Sequence, residues 1–437
     1  MKKKCFWIIL ILLCIGCACS MAEEQPVTYT SGDYQYILLP DGTAEITKYI
    51  GKAENQEIPS ELDGHTVSSI GNRAFAGNNK IVSIDIPNSI IFVENNPFSG
   101  CSSLMYFSVA PDHPTLAVND GVLFQEKKLI CYPSNKKERV YSIPDGTQEI
   151  GDYAFSNCKN LVDVTIPDSI IHIDNIPFIY CNNLSAIHVS PDHPLFADIK
   201  GVLFQKDEKR LVCYPAKRRD ESYSIPKGIL EISEFAFCHC FYLTNITIPD
   251  SVVNIQKYAF CNCPVLSEID IPNSVETINE GTFYECSSLT NVNLGDKISR
   301  IGDYAFYFCE ELKNIIIPDS VTEIGEGAFC FCFSLTNVLM PKNLNSIGDS
   351  AFSYCNRLIS IIIPNNISDI NDTIFSGCTK LSNIMIPESV ISISENAFVD
   401  CPVSLTLIVE RDSYALQYCK QKGIGYNYPD ALDWLNN

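Results

Sequence analysis

The sequence predicts a β-rich solenoid of about 12 stacked repeats of 23 residues, with two β-hairpin insertions and a cap at each end. Three observations predict this fold. Phenylalanines recur at intervals of 23 residues, a strand-like alternation of apolar residues accompanies them, and one repeat is too small to bury its own apolar face. The 12 phenylalanines are Phe75, Phe98, Phe155, Phe178, Phe237, Phe260, Phe283, Phe306, Phe329, Phe352, Phe375 and Phe398.

Each repeat consists of a strand, a proline and a return path. Typical copies are "LTNITIPDSVVNIQKYAFCNC" (243–263) and "LKNIIIPDSVTEIGEGAFCFC" (312–332). The segment Leu-x-x-Ile-x-Ile alternates like a half-buried strand, and the proline ends it because proline donates no ladder hydrogen bond. Gly295 stands where one repeat lacks this proline. Twelve such strands about 4.8 Å apart predict one continuous sheet of roughly 55 Å.

These repeats resemble the BspA-like branch of bacterial leucine-rich repeat proteins, whose pattern reads C-x-x-L-x-x-I-x-I-P-x-x-V-x-x-I-x-x-x-A-F. The resemblance covers about residues 27–430. It departs at Pro97, Pro177 and Thr282, which replace the alanine before phenylalanine, and at Asn78, which replaces a cysteine. It implies a curved, right-handed solenoid in a secreted or surface-attached protein, often concerned with adhesion or recognition. It implies no enzymatic activity.

Two longer segments, 111–143 and 191–225, interrupt the 23-residue rhythm and are near copies of each other. Each segment is predicted to contain two strands on either side of a charged turn, which indicates a β-hairpin. The first strand is "GVLFQ" in both segments, and the second is "LICYP" in the first segment and "LVCYP" in the second. Both segments are locally neutral to basic, whereas the chain as a whole is acidic.

The two ends of the repeat array are predicted caps, because a solenoid must cover its terminal repeats. We predict an N-terminal β cap over 23–57, with a hairpin that turns at Asp41-Gly42. The solenoid follows over 58–401, and a C-terminal cap over 402–437 contains a helix from about Ser413 to Lys422, stopped by Gly423.

The first 22 residues are predicted to be a secretory signal peptide, because three lysines precede a short apolar run and then small residues. Cleavage after Ala22 is the favoured interpretation. A loose lipobox ending at Cys17 is the alternative, and it would leave a lipidated protein. Either interpretation predicts a secreted or cell-surface location, with membrane attachment only if Cys17 is lipidated.

The charge of the chain disfavours two classes of partner. The formal net charge is −21, and removal of the three N-terminal lysines would make it more negative. A strongly acidic surface repels nucleic acid and anionic membranes, so neither is predicted as a partner.

Most cysteines are predicted to be buried structural thiols. Eleven lie three residues after a repeat phenylalanine, so stacking lines them up as a ladder of small apolar side chains. Neighbouring cysteines of this ladder point in parallel directions, which is poor geometry for a disulfide. A Cys-x-Cys pair without a second such pair is a weak indication of a zinc site. Some disulfides remain an alternative; no metal ligand is predicted. The ladder comprises Cys101, Cys158, Cys181, Cys240, Cys263, Cys286, Cys309, Cys332, Cys355, Cys378 and Cys401.

No motif in the chain indicates catalysis or a cofactor. Nucleophile-elbow, zinc-protease, phosphate-loop and dinucleotide-binding patterns are all absent from the sequence. His113 and His193 are the same position of the duplicated "PDHP". No catalytic or cofactor-binding residue is therefore predicted, although a glycosidase-like pair among the many carboxylates stays an alternative.

The exposed face of the predicted sheet provides a candidate binding surface. The third and fifth positions of Leu-x-x-Ile-x-Ile point away from the core; the third is mostly asparagine, and the fifth turns apolar in four consecutive repeats. Contiguous exposed apolar groups often mark an interaction site, although strand propensity or a covering cap are the blander explanations. The candidate residues are Asn291, Asn293, Asn314, Ile316, Asn337, Leu339, Ser360, Ile362, Asn383 and Met385.

The function predicted from these observations is non-enzymatic binding. The expected partner is a surface or matrix protein, or a glycoprotein, of a host or neighbouring cell. The alternative is a structural or self-assembling envelope protein without an external ligand.

Overall fold

The computed structural model describes residues 26–430. The predicted signal peptide, Cys17 and the last seven residues of the predicted C-terminal cap lie outside that range. Within it, no helix combines the length and the apolar character needed to cross a membrane. The predicted division into signal peptide, caps and solenoid stays a prediction.

The N-terminal part contains the predicted hairpin, since β2 and β3 pair antiparallel around the turn at Asp41-Gly42. An additional strand, β1, pairs with the outer side of β2. The strands here are β1 (Tyr29–Ser31), β2 (Tyr34–Leu38), β3 (Ala44–Tyr49), β4 (Asn55–Glu57), β5 (Glu61–Leu62), β6 (His65–Ile70), β7 (Ser83–Ile86), β8 (Phe92–Val93) and β9 (Tyr106–Val109).

The two insertions form the predicted hairpins, each with one more strand than predicted. The extra strand precedes the hairpin and makes it a three-stranded antiparallel unit. The strands are β10 (Leu116–Asn119), β11 (Val122–Gln125), β12 (Lys128–Cys131), β13 (Val140–Ser142), β14 (Glu149–Ile150), β15 (Asp163–Ile166), β16 (His172–Ile173), β17 (Ala186–Val189), β18 (Phe196–Ile199), β19 (Val202–Gln205), β20 (Arg210–Cys213), β21 (Ser222–Ser224) and β22 (Glu231–Ile232).

The C-terminal part is the regular portion of the solenoid. It comprises β23 (Asn245–Thr247), β24 (Asn254–Ile255), β25 (Glu268–Asp270), β26 (Thr277–Ile278), β27 (Asn291–Asn293), β28 (Arg300–Ile301), β29 (Asn314–Ile316), β30 (Glu323–Ile324), β31 (Asn337–Leu339), β32 (Ser346–Ile347), β33 (Ser360–Ile362), β34 (Asp369–Ile370), β35 (Asn383–Ile386), β36 (Ser392–Ile393), β37 (Thr406–Val409), α1 (Tyr414–Lys422) and β38 (Gly425–Asn427). The predicted helix is confirmed, with Ser413 capping its start and Gly423 ending it in the left-handed conformation.

Each regular coil of the solenoid contributes a front strand, from Leu-x-x-Ile-x-Ile, and a two-residue back strand. The predicted continuous front sheet is wrong, because its parallel ladder is divided into five parts: β4-β7-β9, β13-β15-β17, β21-β23-β25-β27, β29-β31 and β33-β35-β37-β38. The two insertions cause the first two divisions. The third adjoins Gly295, where an added Cβ would lie 2.9 Å from the carbonyl oxygen of Pro272. The fourth separates β31 from β33.

The solenoid has about 17 coils, which corrects the prediction of 12. The phenylalanine count missed coils in which tyrosine occupies the same place. Tyr49, Tyr132 and Tyr214 stack on the phenylalanine of the next coil, with ring centroids 5.1 to 5.4 Å apart. Two of these coils belong to the insertions and one to the N-terminal hairpin, so the sequence period is broken around them.

The repeat phenylalanines form the centre of the core. Phe260, Phe283, Phe306 and Phe329 are fully buried, and neighbouring rings stack with centroids 5.2 to 5.5 Å apart and nearly parallel planes. Offset stacking of this kind adds about 0.5 to 1.5 kcal/mol per pair to the burial of the rings. The column therefore couples each coil to the next.

The cysteine ladder is confirmed, and it also has a hydrogen-bonding role that the sequence did not suggest. All 17 cysteines in the described range are free, and 15 of them are buried. The Cys309 thiol donates to the carbonyl oxygen of Phe283 in the preceding coil at 3.3 Å, and Cys332 donates likewise to Phe306 at 3.2 Å. The same two carbonyls also accept the backbone amides of Cys286 and Cys309, so each thiol fills space and adds a second hydrogen bond that links one coil to the next.

Candidate functional site

Three large apolar side chains lie exposed on consecutive front strands. Ile316 on β29 is 69% exposed, Leu339 on β31 is 64% exposed and Ile362 on β33 is 62% exposed. Their neighbours in sequence, Ile315 and Ile361, are buried. The alternation of a strand therefore sends one isoleucine of each pair into the core and the other outwards. We call Ile316, Leu339, Ile362 and Met385 the apolar column.

Asparagine side chains run beside the apolar column. Asn314 and Asn337 are exposed and face each other across β29 and β31. The Asn337 Nδ2 donates to Asn314 Oδ1 at 3.3 Å and to the Thr336 hydroxyl at 3.2 Å. These bonds hold the amides in fixed positions next to the apolar side chains.

The ten candidate residues fall into three groups on the front face. Asn291 and Asn293 lie on β27, at the end of a four-stranded ladder. The pair β29-β31 carries Asn314, Ile316, Asn337 and Leu339, and the pair β33-β35 carries Ser360, Ile362, Asn383 and Met385. Met385 is only half-buried rather than exposed, so the apolar column is strongest in its first three members.

A cleft of about 380 Å³ lies where the ladder is divided between β31 and β33. It brings together four of the candidate residues, Asn337, Leu339, Ser360 and Ile362. In the neighbouring pair, the Ile317 amide donates to the Leu339 carbonyl across the strands. The equivalent amide at this division belongs to Met340, and it has no acceptor within residues 26–430.

Sequence analysis missed one exposed apolar residue at this place. Ile359 is 52% exposed and directly precedes β33. It occupies the second position of Leu-x-x-Ile-x-Ile, where the preceding coils have Lys313 and Thr336. That local departure from a polar column was the available signal.

The duplicated histidines have structural roles. His193 is fully buried, and its Nδ1 accepts hydrogen bonds from the backbone amides of Leu195 and Phe196. The Nδ1 of His113 accepts from Leu116 in the same way. Both rings therefore fix the turn that enters an insertion, which accounts for them without catalysis.

No group of three or more His, Cys, Asp or Glu side chains within residues 26–430 is arranged to hold a metal ion. The outward positions of the front strands β27, β29, β31, β33 and β35 hold asparagine, serine and apolar residues and no carboxylate. The chemistry available on this face is therefore contact with apolar groups and hydrogen bonding to neutral polar groups.

A protein-family model for the BspA-type leucine-rich repeat region matches most of the chain. Six copies are recognised, and the matched segments are 34–120, 131–206, 213–310 and 299–421. The short gaps between the first three segments fall within the two insertions. No curated protein matches the chain.

Several solved bacterial structures are similar to this chain. A leucine-rich cell-surface protein from Faecalibacterium prausnitzii is 30% identical, with 72% of this chain and 95% of the other covered and a TM-score of 0.46. A leucine-rich repeat protein from Eubacterium ventriosum is 19% identical, with 87% and 96% covered and a TM-score of 0.53. The pneumococcal vaccine antigen PcpA is 19% identical, with 92% and 98% covered and a TM-score of 0.41.

Proposed function

This chain belongs to the family of BspA-type leucine-rich repeat proteins, and from that premise we propose that it is a non-enzymatic recognition protein, secreted or held at the cell surface. Its partner is a surface or matrix protein, or a glycoprotein, of a host or neighbouring cell. The binding site is the front face around the apolar column.

One observation carries this proposal. Ile316, Leu339 and Ile362 each leave more than half of their surface in water, in three consecutive coils of one face. Scattered exposed apolar residues are ordinary on soluble proteins, whereas a contiguous row of them is typical of an interaction surface. Burying one such side chain contributes about 1.5 to 3 kcal/mol.

The surroundings of the apolar column support specific binding rather than nonspecific hydrophobic association. The amides of Asn314 and Asn337 lie beside it, and the Met340 backbone amide in the cleft is unpaired within the described residues. A partner that fills the cleft satisfies such groups, and one of the wrong shape leaves them buried and unpaired, which costs about 1 to 3 kcal/mol each. This arrangement suits a folded partner with its own polar groups.

The proposal is tested by presenting purified residues 23–437 to an array of extracellular-matrix proteins, serum proteins and glycans. We expect at least one protein or glycoprotein to be bound, and we expect the signal to disappear when Ile316, Leu339 and Ile362 are all changed to serine. Light scattering on the same sample reports its oligomeric state.

Two outcomes would contradict the proposal. The first is a bound protein whose signal the triple variant retains in full. The second is silence across the array from a folded chain that forms oligomers, which would support the structural envelope role instead.

A further inference from the structure

A second concave surface lies at the insertions, far along the chain from the apolar column. It is a cleft of about 730 Å³ that spans four coils, and we call it the basic cleft. The C-terminal parts of the two insertions form the ends of the cleft, and the two coils between them form its middle. Its charged lining residues are Lys137, Arg139, Lys159, Lys217, Arg218, Arg219 and Asp220.

This concentration of cations is unusual in a chain with a net charge of −21. Five of the six cationic side chains have no carboxylate oxygen within 4.0 Å among residues 26–430: Lys137, Arg139, Lys159, Lys217 and Arg219. A local island of positive potential inside an acidic body attracts anions to that one place.

The one acidic residue of the cleft is already engaged. The Asp220 carboxylate accepts hydrogen bonds from the Tyr214 hydroxyl at 2.8 Å and from Arg218 Nε at 2.8 Å. Although burial works in the opposite direction, these bonds and the Arg218 charge keep the pKa of Asp220 below its ordinary value. Asp220 therefore neutralises Arg218 and leaves the other five charges available.

Neutral polar groups lie between the cations. Asn160 and Asn183 each donate through Nδ2 to a carbonyl of the preceding coil, that of Lys136 and Lys159 respectively. Both residues line the cleft, and their Oδ1 atoms accept no hydrogen bond from the described residues. Fixed acceptors of this kind suit ligands that carry hydroxyl groups.

From these observations we propose that the basic cleft binds a linear anionic polysaccharide bearing sulfate or carboxylate groups. Four coils about 4.8 Å apart extend roughly 14 Å, so a single small anion cannot contact all five cations. The lining contains no aromatic platform for nucleic-acid bases. Its only apolar residue is Val162, whereas protein partners need an apolar or aromatic centre. A chain of hydroxylated, charged sugars fits what remains.

The test measures binding of residues 23–437 to heparin, chondroitin sulfate and hyaluronate, which separate sulfate from carboxylate recognition. Neutral dextran, a single-stranded oligonucleotide and polyglutamate are the comparison ligands. We expect one of the anionic polysaccharides to bind at 150 mM salt. The comparison ligands should bind at least tenfold more weakly.

The site is assigned with two matched variants that remove the same charge. The cleft variant carries Arg139→Gln, Lys159→Gln and Arg219→Gln. The distant variant changes exposed lysines elsewhere and carries Lys297→Gln, Lys380→Gln and Lys420→Gln. The cleft variant should lose at least tenfold in affinity and show a shallower dependence of log affinity on log salt, since fewer ions are displaced. The distant variant should stay within threefold of the original chain.

Three results would overturn the assignment: equal losses in both variants, full retention in the cleft variant, or comparison ligands that bind as tightly as every polysaccharide. The apolar column is a separate surface, so serine at Ile316, Leu339 and Ile362 should leave polysaccharide binding unchanged. Failure of one site is therefore distinguishable from failure of the other.

Discussion

Changing Ile316, Leu339 and Ile362 together to serine should weaken binding to the protein partner at least 100-fold and leave the fold intact. Each of these side chains contributes up to about 1.5 to 3 kcal/mol when it is fully buried. Ordering and desolvation offset part of this gain, yet a remaining 2.7 kcal/mol already corresponds to about 100-fold in Kd. The measurement is a titration of the array partner against original and variant chains, with melting curves of both.

A matched control separates the site from general hydrophobicity. Ile171, Val253 and Ile391 are exposed to a similar extent, 55%, 55% and 68%, and none belongs to a front strand. Serine at these three positions should leave the Kd within threefold. In a second variant, Ile316, Leu339 and Ile362 are changed to threonine, which retains strand propensity. Thr247 already occupies the equivalent position of an earlier coil. Equal weakening by the column and control variants would contradict the site.

The second large effect that we expect is unfolding at alkaline pH, driven by the thiol ladder. Burial raises the pKa of Cys286, Cys309 and Cys332 above the ordinary value, and it raises that of Cys101 to about 12. In the unfolded chain these thiols ionise near pH 8.5. Above that pH the unfolded chain loses protons that the folded chain retains, so the stability present at neutral pH falls as the pH rises.

The size of the effect follows from the number of thiols. Each one contributes a decline of up to about 1.4 kcal/mol per pH unit until its folded pKa is reached. The four thiols named above give about 5.5 kcal/mol per pH unit, and a net stability of about 5 to 15 kcal/mol is typical of folded domains. We therefore expect cooperative unfolding between about pH 9 and pH 11, measured by circular dichroism with a reductant present.

A triple alanine variant at Cys286, Cys309 and Cys332 tests the cause. It should be less stable than the original at pH 7, because it lacks three S–H···O bonds and some packed volume. Its free energy of unfolding should nevertheless fall less steeply with pH, by about 4 kcal/mol per unit between pH 9 and pH 10. An unchanged slope would show that the ladder is not responsible.

The features that recur in every 23-residue repeat could be predicted from the sequence. Phe306, Cys309 and Ile316 each stand at a fixed position of the repeat. The alternation of the strand and the stacking of equal positions therefore predict whether each side chain is buried or exposed. Tyr132 and Tyr214 occupy the phenylalanine phase of coils whose spacing the insertions disturb. A count by period could not find them, which is one reason why the predicted number of coils was too low.

The remaining features depend on how neighbouring coils fit together. The division between β31 and β33, and with it the cleft beside Leu339, lies within the regular 23-residue period, so the period does not predict it. The basic cleft draws Arg139, Lys159 and Arg219 from three coils, one of them regular. The sequence indicated only that the insertions are locally basic; the three-dimensional fold brings those cations to one concave surface.

The most direct test of the central claim is hydrogen–deuterium exchange of the chain with and without the partner that the array identifies. We predict that the Met340 amide, which has no acceptor among the described residues, exchanges rapidly in the free protein, and that bound partner slows exchange across 337–343 and 359–365, on the two sides of the divided ladder. The back strands β30, β32 and β34 should be unaffected. Protection confined to the back strands or to the insertions, with no change in 337–343 and 359–365, would contradict the claim that the front face around the apolar column binds the partner.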